Sequence, residues 1–197
     1  MNKITLLFFA LLLFACEAEY SKVIRQERNK NIRNDSLFLG FQMGQTKKDF
    51  FNNCWELNKK GLVIQSDDNK YVSKTLFSKD QNNTADNIEM LFYGSFNENN
   101  IMTGMDHKFR YLGWSIWNEE YNALKLKEKL IDTLEKWYPG NSFFKVKHSK
   151  LNEKIYIKID GNRQIKMYTE NTRNVIVKIE DLTPKSRLLT SFFISTN

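Results

Sequence analysis

The chain has 197 residues, of which 14% are aromatic, so it holds enough apolar material for one folded domain or two small ones. Its formal charge of +7 comes from basic residues spread along the whole chain, and a dispersed charge of this kind argues against a nucleic-acid partner. Only two cysteines are present, Cys16 and Cys54, which excludes a framework of disulfides as the source of stability.

The start of the chain has the pattern of an export signal. Lys3 is followed by an apolar run of eleven residues, 4–14. As a helix this run would span about 17 Å, which is too short to cross about 30 Å of hydrocarbon. The run ends in Leu13-Phe14-Ala15-Cys16, which resembles the lipobox of bacterial lipoproteins. The resemblance implies a lipoprotein signal peptide over residues 1–15, cleavage before Cys16 and lipid attachment to that cysteine. A plain secretory signal and a buried N-terminal helix are the alternatives.

The resemblance also predicts where the protein works. Glu17 stands where an aspartate would favour retention in the inner membrane, so we expect an outer-membrane lipoprotein that faces the periplasm or the cell surface. Residues 16–36 are polar and charged, and they are predicted to form a lipidated, flexible tether. At the end of this segment, Asp35-Ser36-Leu37 resembles the short O-glycosylation signal of Bacteroidetes, a phylum that the lysine- and asparagine-rich composition also suggests.

The folded body, residues 37–197, is predicted to begin with an α+β unit near 40–114. Thr46 and Asp49 have the spacing of a capping box at the start of a helix whose apolar face includes Phe50 and Trp55. Alternating apolar and polar residues after this helix predict four strands, over 62–65, 71–77, 88–96 and 101–114.

A second unit of the same plan is predicted near 115–182. Its helix, 118–138, has an apolar stripe formed by Ala123, Leu126, Leu130, Leu134 and Trp137. Four strands follow, over 143–147, 155–159, 165–169 and 175–179, with Asp160-Gly161-Asn162 as a tight turn. The fold is therefore predicted to be α+β, with two tandem units that each pack a helix on a four-stranded antiparallel sheet, followed by a tail, 183–197.

Two further resemblances concern the body. The segment Gly44-Gln45-Thr46-Lys47-Lys48-Asp49-Phe50 resembles the start of the first helix in the small envelope lipoproteins of the BamE/SmpA family. The tandem helix-and-sheet plan is similar to that of β-lactamase inhibitor proteins. Both resemblances imply a non-catalytic binding scaffold, and neither transfers specific binding residues to this chain.

The sequence shows no nucleophile elbow, phosphate-binding glycine loop or dinucleotide fingerprint, so no catalytic residue and no cofactor is predicted. His107 and His148 lack the spacing of metal ligands, and we expect both on strand surfaces. Cys54 is expected to be a small buried apolar residue. The aromatic cluster near the end of the first unit, Tyr111, Trp114 and Trp117 with Phe109, fits a recognition surface or core packing, and core packing is the favoured interpretation.

These observations predict a non-enzymatic envelope lipoprotein that is held to the membrane through lipid on Cys16 and binds or assembles with another envelope protein. Export is a further argument against a nucleic-acid partner. An inhibitor or immunity-type protein binder is the first alternative. An envelope hydrolase is the second, because the carboxylates of such enzymes need not form a recognisable motif.

Overall fold

The computed structural model describes residues 19–66, 68–80, 82–147 and 154–183. Its helices are α1, Glu19–Asn29; α2, Lys47–Lys59; and α3, Ala123–Trp137. Its strands are β1, Ile64–Gln65; β2, Val72–Leu76; β3, Ile88–Phe96; β4, Met102–Tyr111; β5, Phe144–Lys147; β6, Lys154–Asp160; β7, Arg163–Thr169; and β8, Val175–Asp181. Short 3-10 helices lie at Phe38–Gly40, Thr84–Asp86 and Glu119–Tyr121. The predicted signal peptide, Cys16 and residues 184–197 of the predicted tail lie outside the described residues.

The eight described strands form one antiparallel sheet, in the order β1-β2-β3-β4-β8-β7-β6-β5. The prediction of two tandem units, 40–114 and 115–182, each with its own four-stranded sheet, is therefore wrong. Strand β4 pairs with β8 from Gly104 opposite Glu180 to Phe109 opposite Val175, and this pairing joins the two halves. Two separate sheets would have left β4 and β8 as edges with unpaired backbone groups, whereas the joined sheet pairs both.

One hydrophobic core lies between this sheet and the helices α2 and α3. Phe50 of α2 and Leu126 of α3 belong to the same buried cluster as Met105 of β4 and Val177 of β8. Because both halves of the chain contribute to this cluster, neither half has a core of its own. The two halves therefore depend on each other for burial of their apolar faces.

Helix α2 begins with the capping box that the sequence predicts. The Thr46 hydroxyl accepts from the backbone N–H of Asp49 at 3.1 Å, and the Asp49 carboxylate accepts from the backbone N–H of Thr46 at 3.2 Å. An N-cap of this kind stabilises a helix by about 1 kcal/mol. Within the predicted apolar face, Phe50 is buried, whereas Phe51 and Trp55 are exposed.

Helix α1 lies within the segment for which a flexible tether is predicted. Its Ile24 is buried and packs against the three isoleucines of β6, on the face of the sheet opposite the main core. The backbone N–H of Gly161, in the β6–β7 turn, donates to the Glu27 carboxylate of α1 at 3.1 Å. Since the outer face of β6 is apolar, covering it gives this polar segment enough burial to become helical.

Helix α3 carries the predicted apolar stripe but begins later than residue 118. Asn122 caps it by accepting from the backbone N–H of Lys125 at 2.9 Å, while Asn118 caps the preceding 3-10 helix. The buried residues of the predicted stripe are Ala123, Leu126, Leu130 and Leu134.

The two ends of α3 mark the two ends of the sheet. The backbone N–H of Ala123 donates to the backbone oxygen of Thr172 in the β7–β8 loop at 2.8 Å, and we call this end the loop end. At the other end of α3, the Tyr138 ring stacks on Arg163, which follows the β6–β7 turn. We call that end the turn end.

Candidate binding surface at the loop end

The structure separates the three aromatic residues that the sequence places together. Tyr111, the last residue of β4, is buried, and its ring contacts that of Tyr121 edge-on with 5.3 Å between centroids. Burial raises the pKa of Tyr111 to about 12. Trp114 is partly buried, and Trp117 is 90% exposed. Core packing therefore describes Tyr111, whereas the Trp117 side chain is accessible for recognition.

The loop between β4 and α3 is held from both sides. The Trp114 indole N–H donates to the backbone oxygen of Thr172 at 3.2 Å, and the Arg173 guanidinium carbon lies 5.0 Å from the centre of the Trp114 ring. On the other side, the backbone N–H of Gly113 donates to the backbone oxygen of Ala85 at 3.0 Å. A Cβ atom at position 113 would lie 2.4 Å from the Cβ of Ala85, so this approach requires glycine. The loop is therefore fixed in advance of any binding event.

Large apolar side chains in and around this loop are exposed to solvent. In the loop itself, Ile116 is 74% exposed and lies next to Trp117. Phe77, which follows β2 at the same end of the sheet, is 81% exposed. We call the following five residues the apolar loop surface: Phe77, Leu112, Ile116, Trp117 and Leu124. All five lie at the loop end of the sheet, and exposed apolar residues at one end of a molecule favour a binding site there. Tryptophan is prominent among the residues that contribute most to binding.

A second exposed apolar group lies on α2, in the turn after it and on β1, and consists of Phe51, Trp55, Leu62 and Ile64. Parts of this group already have partners within the chain. The Phe51 ring packs edge-on against Phe50 with 5.6 Å between centroids, and the Lys59 ammonium lies 5.7 Å from the Trp55 ring. Trp117 makes no comparable ring or cation contact within the described residues. The apolar loop surface is therefore the stronger candidate.

The histidine and the cysteine that the structure describes are both shielded from solvent, His107 fully and Cys54 in part. His107 lies inside the core between Phe92 and Phe109, so the prediction of a surface position is wrong. Burial lowers the pKa of His107 to about 4 and raises that of Cys54, which is half-buried, to about 11. The imidazole is therefore neutral and the thiol is protonated at pH 7. Within the described part of the chain, no group of three or more His, Cys, Asp and Glu side chains could hold a metal ion. His148 lies outside that part.

Comparison with known proteins assigns no family to the chain, because no protein-family model, curated protein or solved structure matches it. The candidate site therefore rests on the geometry of this molecule. Of this surface, only Trp117 was predicted from the sequence, whereas Phe77, Leu112, Ile116 and Leu124 were not. A signal was present for one of them, since Ile116 and Trp117 are adjacent apolar residues in a connection between a strand and a helix cap.

Proposed function

We propose that the chain is a non-enzymatic, lipid-anchored binding protein of the bacterial envelope, and that its apolar loop surface contacts a protein partner. The observation that supports this function is the β4–α3 loop, which hydrogen bonds hold at Gly113 and Trp114, with Ile116 and Trp117 exposed on it. Since the loop is already ordered, binding costs less conformational entropy. The exposed indole supplies rigid contact area of the kind found at the centre of protein interfaces.

A lipid on Cys16 would hold the folded body close to the bilayer. Glu17 and Ala18 separate Cys16 from the first residue of α1, and a chain of this length spans at most about 11 Å. Because α1 itself packs on β6, the distance from the lipid to the sheet is shorter than a flexible tether over 16–36 would allow. None of the described helices is long and apolar enough to cross a membrane.

Replacing Trp117 with serine is expected to weaken binding of the partner at least tenfold, because the indole contributes its area to the complex. The free energy of unfolding should change by less than about 0.5 kcal/mol, because this side chain is not part of the core. A photo-crosslinking amino acid at position 77, on the same surface, forms a covalent product with the bound partner in intact cells. Mass spectrometry of the crosslinked product identifies the partner and measures how much of the product is lost in the variant.

Trp55→Ser is the matched control, because it removes a tryptophan that is 62% exposed on α2. It should leave the product from position 77 unchanged. The assignment of the surface is refuted if Trp55→Ser removes the product and Trp117→Ser does not. Crosslinks from position 77 to lipid instead of protein would show that the surface inserts into the bilayer.

Cys16→Ala is expected to remove the covalent lipid, because the thiol is the predicted attachment point. Labelling of cells with a fatty acid that carries a detectable tag, followed by mass spectrometry of the protein, measures this directly. Cys54→Ala is the matched control and should retain the label. An unlabelled wild-type protein, or a label that persists in Cys16→Ala, would overturn the lipid anchor without affecting the proposal for the loop surface.

A further inference from the structure

A pocket of about 410 Å³ lies at the turn end of the sheet, away from the apolar loop surface. Its walls come from residues 34 and 36–39, the end of α3 and the start of β7. In the wall, the rings of Phe38 and Trp137 stack with 4.0 Å between centroids. Leu39 beside them has a φ of 59°, a left-handed conformation that is unfavourable for a residue other than glycine. A volume of this size suits a small organic molecule.

Arg163 is the charged residue among those that line the pocket, and it is only 5% exposed. Its Nη1 donates to the backbone oxygen of Ser36 at 3.1 Å, and its guanidinium carbon lies 4.8 Å from the centre of the Tyr138 ring. Its Nε has no hydrogen-bond partner among the described residues. A guanidinium carries five N–H donors, and buried donors normally find acceptors, so this side chain has donor capacity to spare.

Arg163 and a second buried cation, Lys158, both pair with the carboxylate of Asp160. The Lys158 ammonium lies 3.0 Å from Asp160 Oδ2, and the Arg163 Nη2 lies 3.6 Å from the same oxygen. Two buried cations thus share one carboxylate, and neither has a second acidic partner within ion-pair distance in the described part of the chain. Burial lowers the pKa of Arg163, against the opposing effect of Asp160. Because Arg163 shares its carboxylate with Lys158 and has an unpartnered donor, its guanidinium can accept a further anionic partner.

We propose that the pocket binds a small monocarboxylate with an apolar or aromatic body. The carboxylate accepts hydrogen bonds from Arg163, whose planar guanidinium matches a carboxylate, and from the Tyr138 hydroxyl. That hydroxyl accepts from the backbone N–H of Phe38 at 3.1 Å, so its own hydrogen can be donated. The apolar body lies against the rings of Phe38 and Trp137. Among the lining residues Arg163 is the one cation, so a ligand with a single negative charge matches it better than a phosphate dianion does.

The test compares 3-phenylpropanoate with its neutral amide, 3-phenylpropanamide, by isothermal titration calorimetry of the full chain in detergent micelles. The carboxylate should bind at least tenfold more tightly than the amide. Arg163→Lys keeps the positive charge but loses the planar fork, and it should weaken binding of the carboxylate at least tenfold. Arg173→Lys is the matched control, since Arg173 also stacks on an aromatic ring but lies at the loop end. It should leave both affinities unchanged.

Tyr138→Phe is a second test that keeps the ring on which Arg163 stacks. It should weaken binding of the carboxylate more than binding of the amide, because a hydrogen bond to a charged acceptor is the stronger one. Thermal melting followed by circular dichroism shows whether each variant is folded. If Arg163→Lys is not folded, Tyr138→Phe is the variant that tests the proposal. Equal affinity for the two probes would overturn the proposal, as would unchanged affinity in both variants or no binding of the carboxylate at millimolar concentration.

Discussion

Asp160→Ala is expected to lower the free energy of unfolding by about 3–5 kcal/mol, because it leaves Lys158 and Arg163 buried without their shared carboxylate. Lys158 is only 1% exposed, so its ammonium is shielded from bulk water. The same carboxylate accepts the backbone N–H of Asn141 at 2.6 Å, so the variant also loses a bond that holds the connection between α3 and β5. Urea denaturation at pH 7, followed by circular dichroism, measures the difference.

Asp106→Ala is the matched control for this measurement. Asp106 Oδ2 lies 3.9 Å from Lys178 Nζ, and both side chains are nearly half exposed. Because solvent screens such a pair, its removal should change the free energy of unfolding by less than about 1 kcal/mol. An equally small effect of Asp160→Ala would contradict the interpretation of a tightly coupled buried cluster. If the alanine variant does not fold, Asp160→Asn removes the charge and keeps an acceptor for Asn141.

Local sequence patterns were sufficient for the features that local interactions determine. The capping box of Thr46 and Asp49, the apolar stripe of α3 and the tight turn between β6 and β7 are all present where the sequence predicts them. Each of these features depends on residues a few positions apart, and the amino acids themselves favour one local geometry.

Contacts between distant segments could not be predicted in the same way. Alternation along a strand shows which side chains share a face, but not which strand lies beside it, so the pairing of β4 with β8 was missed. Helix α1 was missed because Ile24 and its apolar neighbours form a buried face only when β6 lies beneath them. Lys158 occupies the polar phase of β6 and is nevertheless buried, because this face of the sheet lies toward the main core. Its ammonium donates to the backbone oxygen of Asn141.

For the candidate surface and the pocket, too, local features could be predicted and contacts between distant segments could not. The sequence places Tyr111, Trp114 and Trp117 close together, but their exposure depends on the direction of a loop that is fixed by Ala85 and Thr172. The pocket was not predicted at all. Its walls join residues 34 and 36–39 to the end of α3 and to Arg163, segments whose approach is set by the sheet order and not by any local pattern.

The free energy of unfolding is also expected to fall as the pH drops from about 6.5 to about 4, because of His107. Burial in the core lowers the pKa of this imidazole from 6.5 to about 4 in the folded protein. Between these pH values the unfolded chain binds more protons than the folded one, so the free energy of unfolding rises with pH. The contribution is fully present above about pH 6.5 and is lost by about pH 4. A shift of this size corresponds to about 3 kcal/mol.

His107→Leu is expected to remove this component, because leucine fills a similar volume between Phe92 and Phe109 and does not titrate. Urea denaturation between pH 7 and pH 4.5 measures the difference in free energy of unfolding between variant and wild type. This difference should shift by about 2 kcal/mol in favour of the variant as the pH falls. Met105→Leu, at a neighbouring buried position of β4, alters packing without altering titration, so its curve should run parallel to that of the wild type. The acidic residues titrate in all three proteins, so their effect cancels in this difference. The change of the difference with pH therefore reports the titration of the imidazole. Parallel curves for His107→Leu and the wild type would show that protonation of His107 is not coupled to unfolding.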